Sequence, residues 1–160
     1  MFFRIKKIKG KEYAYVVENS WKKGSSRQKV KNYLGKAYHF NLLNNVDFLD
    51  YLKIQDIHGY LKNNDKNKII SDLIGWELFK FDIKREEFSI DLSNSRIQKN
   101  KKNIVLLIND GFMCELTLKN LLKFMPDGDE QNEGYRLARA FVEAGIKVPQ
   151  EVFVSIFSKL

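Results

Sequence analysis

Arg27-Gln28-Lys29-Val30-Lys31-Asn32-Tyr33-Leu34-Gly35 changes character at every second residue. Period two is the mark of a strand with two unlike faces. On that count Arg27, Lys29, Lys31 and Tyr33 share one side, and Gln28, Val30, Asn32 and Leu34 the other. On its N-terminal side, Ser20 to Ser26, with Gly24 and paired serines, reads as a turn. Glu12 to Asn19 alternates in the same way, setting Tyr13, Tyr15 and Val17 against Ala14, Val16 and Glu18. Lys9-Gly10-Lys11 is an earlier turn, preceded by Phe3 and Ile5 alternating with Arg4 and Lys6. Three strands joined by short Gly-containing turns predict an antiparallel meander that ends at Gly35. Such a sheet can rest one face on a core and leave the other in water.

Charge singles out the same region. The chain has 160 residues and a formal net charge of +8. Residues 1–40 hold eleven Lys and Arg against Glu12 and Glu18, whereas residues 41–160 hold seventeen against eighteen Asp and Glu. A lysine-rich composition alone would spread the excess evenly. Here all of it sits in the first quarter, and a localised positive field attracts polyanions. Successive same-face residues of a strand lie roughly 6.5–7 Å apart, close to the spacing of phosphates along one nucleic-acid strand. Arg27, Lys29 and Lys31 would form such a row, extended from a neighbouring strand by Arg4 and Lys6, with Lys36 a further candidate contact. Tyr13, Tyr15, Tyr33 and Trp21 are placed to stack on bases. The competing reading is a lysine-lined strand edge guarded against aggregation, with the tyrosines in the core.

The stretch Ile8-Lys9-Gly10-Lys11-Glu12-Tyr13-Ala14-Tyr15-Val16-Val17-Glu18, then Lys23-Gly24 and Arg27 to Lys36, resembles the N-terminal segment of bacterial and archaeal insertion-sequence transposases. It is also similar to the arm-type DNA-binding sheets of tyrosine recombinases. The resemblance covers about 30 of the 160 residues and implies a DNA-binding appendage. It does not extend past Lys36. The metal-binding carboxylate triad and large catalytic core of a transposase have no counterpart in residues 41–160.

Beyond the meander, Asp47 is an N-cap for a short helix through Phe48, Leu49 and Leu52, and Ile69, Ile70, Leu73 and Ile74 form a helical face leading to Gly75. Trp76 to Ile83 and Phe88 to Leu92 alternate as strands, and residues 94–103 read as a polar loop. Ile104-Val105-Leu106-Leu107-Ile108 is a continuous apolar run, as expected of a strand covered on both faces. A helix is expected after Asp110-Gly111, through Leu116, Leu118, Leu121, Leu122 and Phe124. Two more are expected, over Gly134–Ala144 and Pro149–Lys159. The fold class is therefore α+β: a basic β module over residues 1–40, a mixed helical connector over 41–75, and a small helix-covered sheet over 76–160.

Chemistry-bearing motifs are absent. Cys114, His39 and His58 form neither a metal set nor a nucleophile with its base. The acidic run Asp127 to Glu133 has its glycine at the second position rather than the sixth of a calcium loop, so it reads as capping of the next helix. The final helix, Glu151 to Ser158, is too apolar for a groove-reading helix. No glycine-rich phosphate loop, no bilayer-spanning run and no secretory signal pattern is present. The expectation is a cytoplasmic, non-catalytic nucleic-acid-binding protein without metal or cofactor, with DNA preferred; the alternatives are an RNA- or ribosome-associated protein and a protein-interaction module that uses the apolar C-terminal helices. A second partner, or another copy of the chain, would meet the C-terminal helices.

Overall fold

Four two-residue turns shape the sheet. Lys9 and Gly10, Lys23 and Gly24, Asn100 and Lys101, and Asn109 and Asp110 all have positive φ at both positions. That conformation twists a hairpin in the sense its strands require, and Gly, Asn and Asp adopt it most readily. The computed structural model describes residues 1–160. In it these turns join β1 (Phe2–Ile8) to β2 (Lys11–Lys22), β2 to β3 (Ser25–His39), β5 (Arg96–Lys99) to β6 (Lys102–Ile108), and β6 to β7 (Gly111–Met113). With β4 (Ser89–Asp91), the strands form one seven-stranded sheet of order β1-β2-β3-β6-β5-β4, and β7 shares with β5 the other edge of β6. The predicted meander is present, as is the α+β class.

Gly35 does not end the third strand. Its φ is +133°, and a Cβ there would lie 2.3 Å from the carbonyl oxygen of Asn103. The missing side chain lets β3 run close beside β6, where Lys36 to His39 pair in parallel with Ile104 to Leu107. The β6 run is covered on both faces as expected. Ile104, Leu106 and Ile108 enter the large core, while Val105 enters a smaller one with Ala14, Val16, Leu34, Ala37 and Cys114.

The helices are α1 (Phe48–Leu52), α2 (Ile57–Asn63), α3 (Lys66–Lys80), α4 (Glu115–Leu122), α5 (Glu130–Glu143) and α6 (Gln150–Ser158). Asp47 caps α1 as expected, accepting from the Asp50 amide at 2.8 Å. The strand expected from Trp76 is instead the last turn and a half of α3. This helix is buried nearly all round, with Ile69, Ile70, Leu73, Ile74, Trp76 and Leu78 all in the core. A helix without a polar face gives no 3.6-residue signal, and short stretches of it mimic alternation. Residues 94–103 are not a loop either. They form β5 and its hairpin, anchored by the fully buried Ile97. β7 precedes the helix expected after Gly111.

One buried polar group ties these parts together. The Glu77 carboxylate is fully buried and meets Lys80 Nζ at 3.0 Å. It also accepts from Asn109 Nδ2 at 2.8 Å and the Lys147 amide at 2.9 Å. Lys80 lies 3.7 Å above the Trp76 ring. α3 is thereby fixed to the β6–β7 turn and to the chain between α5 and α6. Gly111 and Gly145 touch across the same corner, where a Cβ on Gly111 would lie 2.3 Å from Gly145 Cα.

That contact is testable. Gly111→Val should cost about 3 kcal/mol in urea unfolding, at the upper end of overpacking. Gly134→Ala, in α5 with only Phe157 near its Cβ at 3.9 Å, should add about 0.5–1 kcal/mol.

Candidate nucleic-acid interface

β1 ends where Phe2 faces Val17, and β6 reaches β3 only from Lys36 onward. Between those limits β2 and β3 have only each other. Five residue pairs, from Glu18 opposite Lys29 to Lys22 opposite Ser25, form a free ribbon about 17 Å long. Every residue from Trp21 to Tyr33 is exposed, Trp21 by 77%. The ribbon and its base hold Lys22, Lys23, Arg27, Lys29 and Lys31 against Glu18. Ser20 donates to the Arg27 carbonyl at 3.2 Å and Ser25 to the Lys22 carbonyl at 3.1 Å, holding the register.

Two irregularities in the β2–β3 pairing decide which way these side chains point. Val16 faces Asn32 but Val17 faces Val30, and Ala14 faces Gly35 but Tyr15 faces Tyr33. Lys31 and Leu34 are thus extra residues on β3, each a β-bulge that shifts the alternation. Directly opposed residues share a face. Lys29 therefore lies with Glu18, Arg27 with Ser20, and Tyr33 with Tyr15. Lys31 reaches Glu18, with Nζ 2.8 Å from Oε2. The row expected on one face is split: Arg27, Lys29 and Lys31 occupy one side, and Tyr33 the other. Strict counting by two passes over bulges because nothing in the local residue types marks an inserted position.

Arg4 and Lys6 pair with Tyr15 and Tyr13, and Lys36 with Tyr13, so all three cations lie on the Tyr33 side. There the rings of Tyr15 and Tyr33 are 5.2 Å apart and those of Tyr13 and Tyr33 6.3 Å. Lys6 Nζ stands 4.9 Å over Tyr15, and Lys36 Nζ 5.0 Å over Tyr38. Tyr33 is 53% exposed. Burial by its neighbours, then the nearby Tyr15 and Tyr13, raise its hydroxyl pKa, so it stays neutral. Trp21, six residues beyond Tyr15 on a strand with no bulge of its own, continues the same side. Glu12 and Glu18, the only carboxylates of residues 1–40, both lie on the opposite side, where Glu12 contacts His39 and Glu18 contacts Lys31.

Lys99 was not singled out by sequence reasoning, because its stretch read as loop. It lies 5.2 Å over Tyr38 and 5.1 Å over Phe88, at the margin of the tyrosine side. Cys114 is buried at the N-cap of α4, where burial raises its thiol pKa. Asp129 caps α5, and Glu133 accepts from the Asp127 and Gly128 amides at 2.6 Å each. No helix is long and apolar enough to cross a membrane. The chain matches none of the protein-family models, curated proteins or solved structures with which it was compared.

The bulge at Lys31 has a titration consequence. Its hydrogen bond and charge hold the Glu18 carboxyl below the ordinary glutamate value. The contact is therefore present at neutral pH and lost as pH falls through the Glu18 pKa. Lys31→Gln should return Glu18 to the ordinary range in a carboxyl NMR titration. An unchanged Glu18 would mean that Lys31 points away from it.

Proposed function

We propose that this chain is a non-catalytic nucleic-acid-binding protein that holds duplex DNA through the β2–β3 ribbon. The observation that carries this reading is a cationic two-stranded ribbon with no neighbour on either face. Such a ribbon is at best marginally stable alone in water, and the arrangement suits a segment that is covered on binding. The major groove of DNA, about 12 Å wide, admits a two-stranded ribbon. The deep, narrow major groove of A-form RNA does not admit side chains, which favours DNA over an RNA- or ribosome-bound role. Arg27, Lys29, Lys22 and Lys23 form no ion pair and are free to meet phosphates, whereas Lys31 is partly neutralised by Glu18. Phosphate contacts position a protein without reading sequence. Tyr135 and Val142 on α5 and Val154 on α6 are exposed and would serve contact with a protein partner or a second copy.

Fluorescence anisotropy with a 20-base-pair duplex over a salt series tests the proposal. Four neutralised phosphates give a slope of log affinity against log salt near −3.6, at about −0.9 each. Arg27→Gln with Lys29→Gln should flatten that slope by about two units and weaken binding steeply, with the unfolding midpoint unchanged. Full affinity in the double variant moves the site off the ribbon. No binding to any nucleic acid at low salt leaves the protein-interaction role of the C-terminal helices as the better account.

A further inference from the structure

The two sides of the ribbon differ in kind. One carries Lys22, Arg27 and Lys29, and the other carries Asn19, Trp21, Ser26 and Gln28. The aromatic side continues down β2 to Tyr15, Tyr33 and Tyr13, where Arg4, Lys6 and Lys36 surround the rings. No carboxylate of the meander reaches that side. An exposed Tyr33, backed by the partly buried Tyr15 and Tyr13 and set beside unpaired cations, has the chemistry of a single-strand platform: a π-face for bases, which stack without sequence preference, and charges for the backbone. A fully paired duplex offers no free base face to these rings.

From these features we infer that the meander is a separator for partly unpaired DNA. The duplex lies against the Arg27 and Lys29 side of the ribbon. The unpaired strand crosses to the other side, passes Trp21 and stacks on Tyr33 and Tyr15 between Arg4, Lys6 and Lys36. This rests on the proposed duplex binding and adds the class of substrate, a junction between paired and unpaired strands. From the Ser20–Arg27 pair to the Tyr15–Tyr33 pair is five residues, about 17 Å. An eight-nucleotide tail covers that span, reaching about 27 Å even at the helical rise of 3.4 Å per nucleotide.

The test compares a blunt 15-base-pair duplex, the same duplex with an eight-thymidine tail, the same with a ribouridine tail, and the free thymidine octamer. The thymidine tail should tighten binding about tenfold over the blunt duplex, the effect of a single stacked base. Tyr33→Ala should remove that gain and leave blunt-duplex affinity unchanged, with a small loss of stability from its packing on Tyr15 and Tyr13, and Tyr33→Phe should keep it. Equal gains from the two tails assign the platform to bases and phosphates alone, in support. A gain confined to the ribouridine tail overturns DNA as the occupant. Tail-independent binding, or a gain that survives Tyr33→Ala, overturns the separator while duplex binding stands. If only the octamer binds, and loses affinity in Tyr33→Ala, the groove reading fails and the junction with it.

Discussion

The short parallel pairing of β3 with β6 is the constraint on which the architecture turns. It spans four residue pairs, Lys36 to His39 against Ile104 to Leu107. It forms only because Gly35 brings no side chain against the Asn103 carbonyl. It places Ala37 beside Val105, around which Ala14, Val16, Leu34 and Cys114 close the smaller core. It also fixes the meander as a continuation of the helix-covered sheet rather than a separate hairpin. Each fully buried aliphatic side chain in that seam contributes roughly 1.5–3 kcal/mol. The seam thus supplies the anchorage that the exposed ribbon lacks.

With its base held, the distal part of β2 and β3 stands clear of every other element. Its bulges then determine the electrostatics. An extra residue at Lys31 directs that cation onto Glu18, and an extra residue at Leu34 sends an apolar side chain into the small core while Tyr33 faces outward. The outcome is a meander whose acids all lie on one side and whose tyrosines lie on the other with Arg4, Lys6 and Lys36. The concentration of charge in residues 1–40 thus becomes two differently constituted surfaces.

Period-two alternation and glycine turns made the meander legible in the sequence, as the apolar run at Ile104 to Ile108 made β6 legible. Asp47 marked its helix start, and the helix end expected at Ala144 falls one residue beyond α5. Illegible were the features decided by tertiary contact. α3 continues through Gly75 because that glycine gives room to the Tyr51 hydroxyl, 2.9 Å from where a Cβ would stand. The β5–β6 and β6–β7 hairpins turn at Asn100-Lys101 and Asn109-Asp110 without glycine at either position, although Asn and Asp are the residues that best tolerate positive φ. The candidate site was legible as composition, in Arg4, Lys6, Trp21, Arg27, Lys29, Lys31, Tyr33 and Lys36. Its division between two faces was not, because a bulge depends on how two strands meet rather than on either strand alone.

The most direct measurement is an amide NMR titration of the full chain with duplex DNA. The account predicts that the largest shift changes fall between Glu18 and Val30, with the amides of α3 and α6 unmoved. Changes centred on the helices, with the ribbon amides unmoved at saturating DNA, would contradict it.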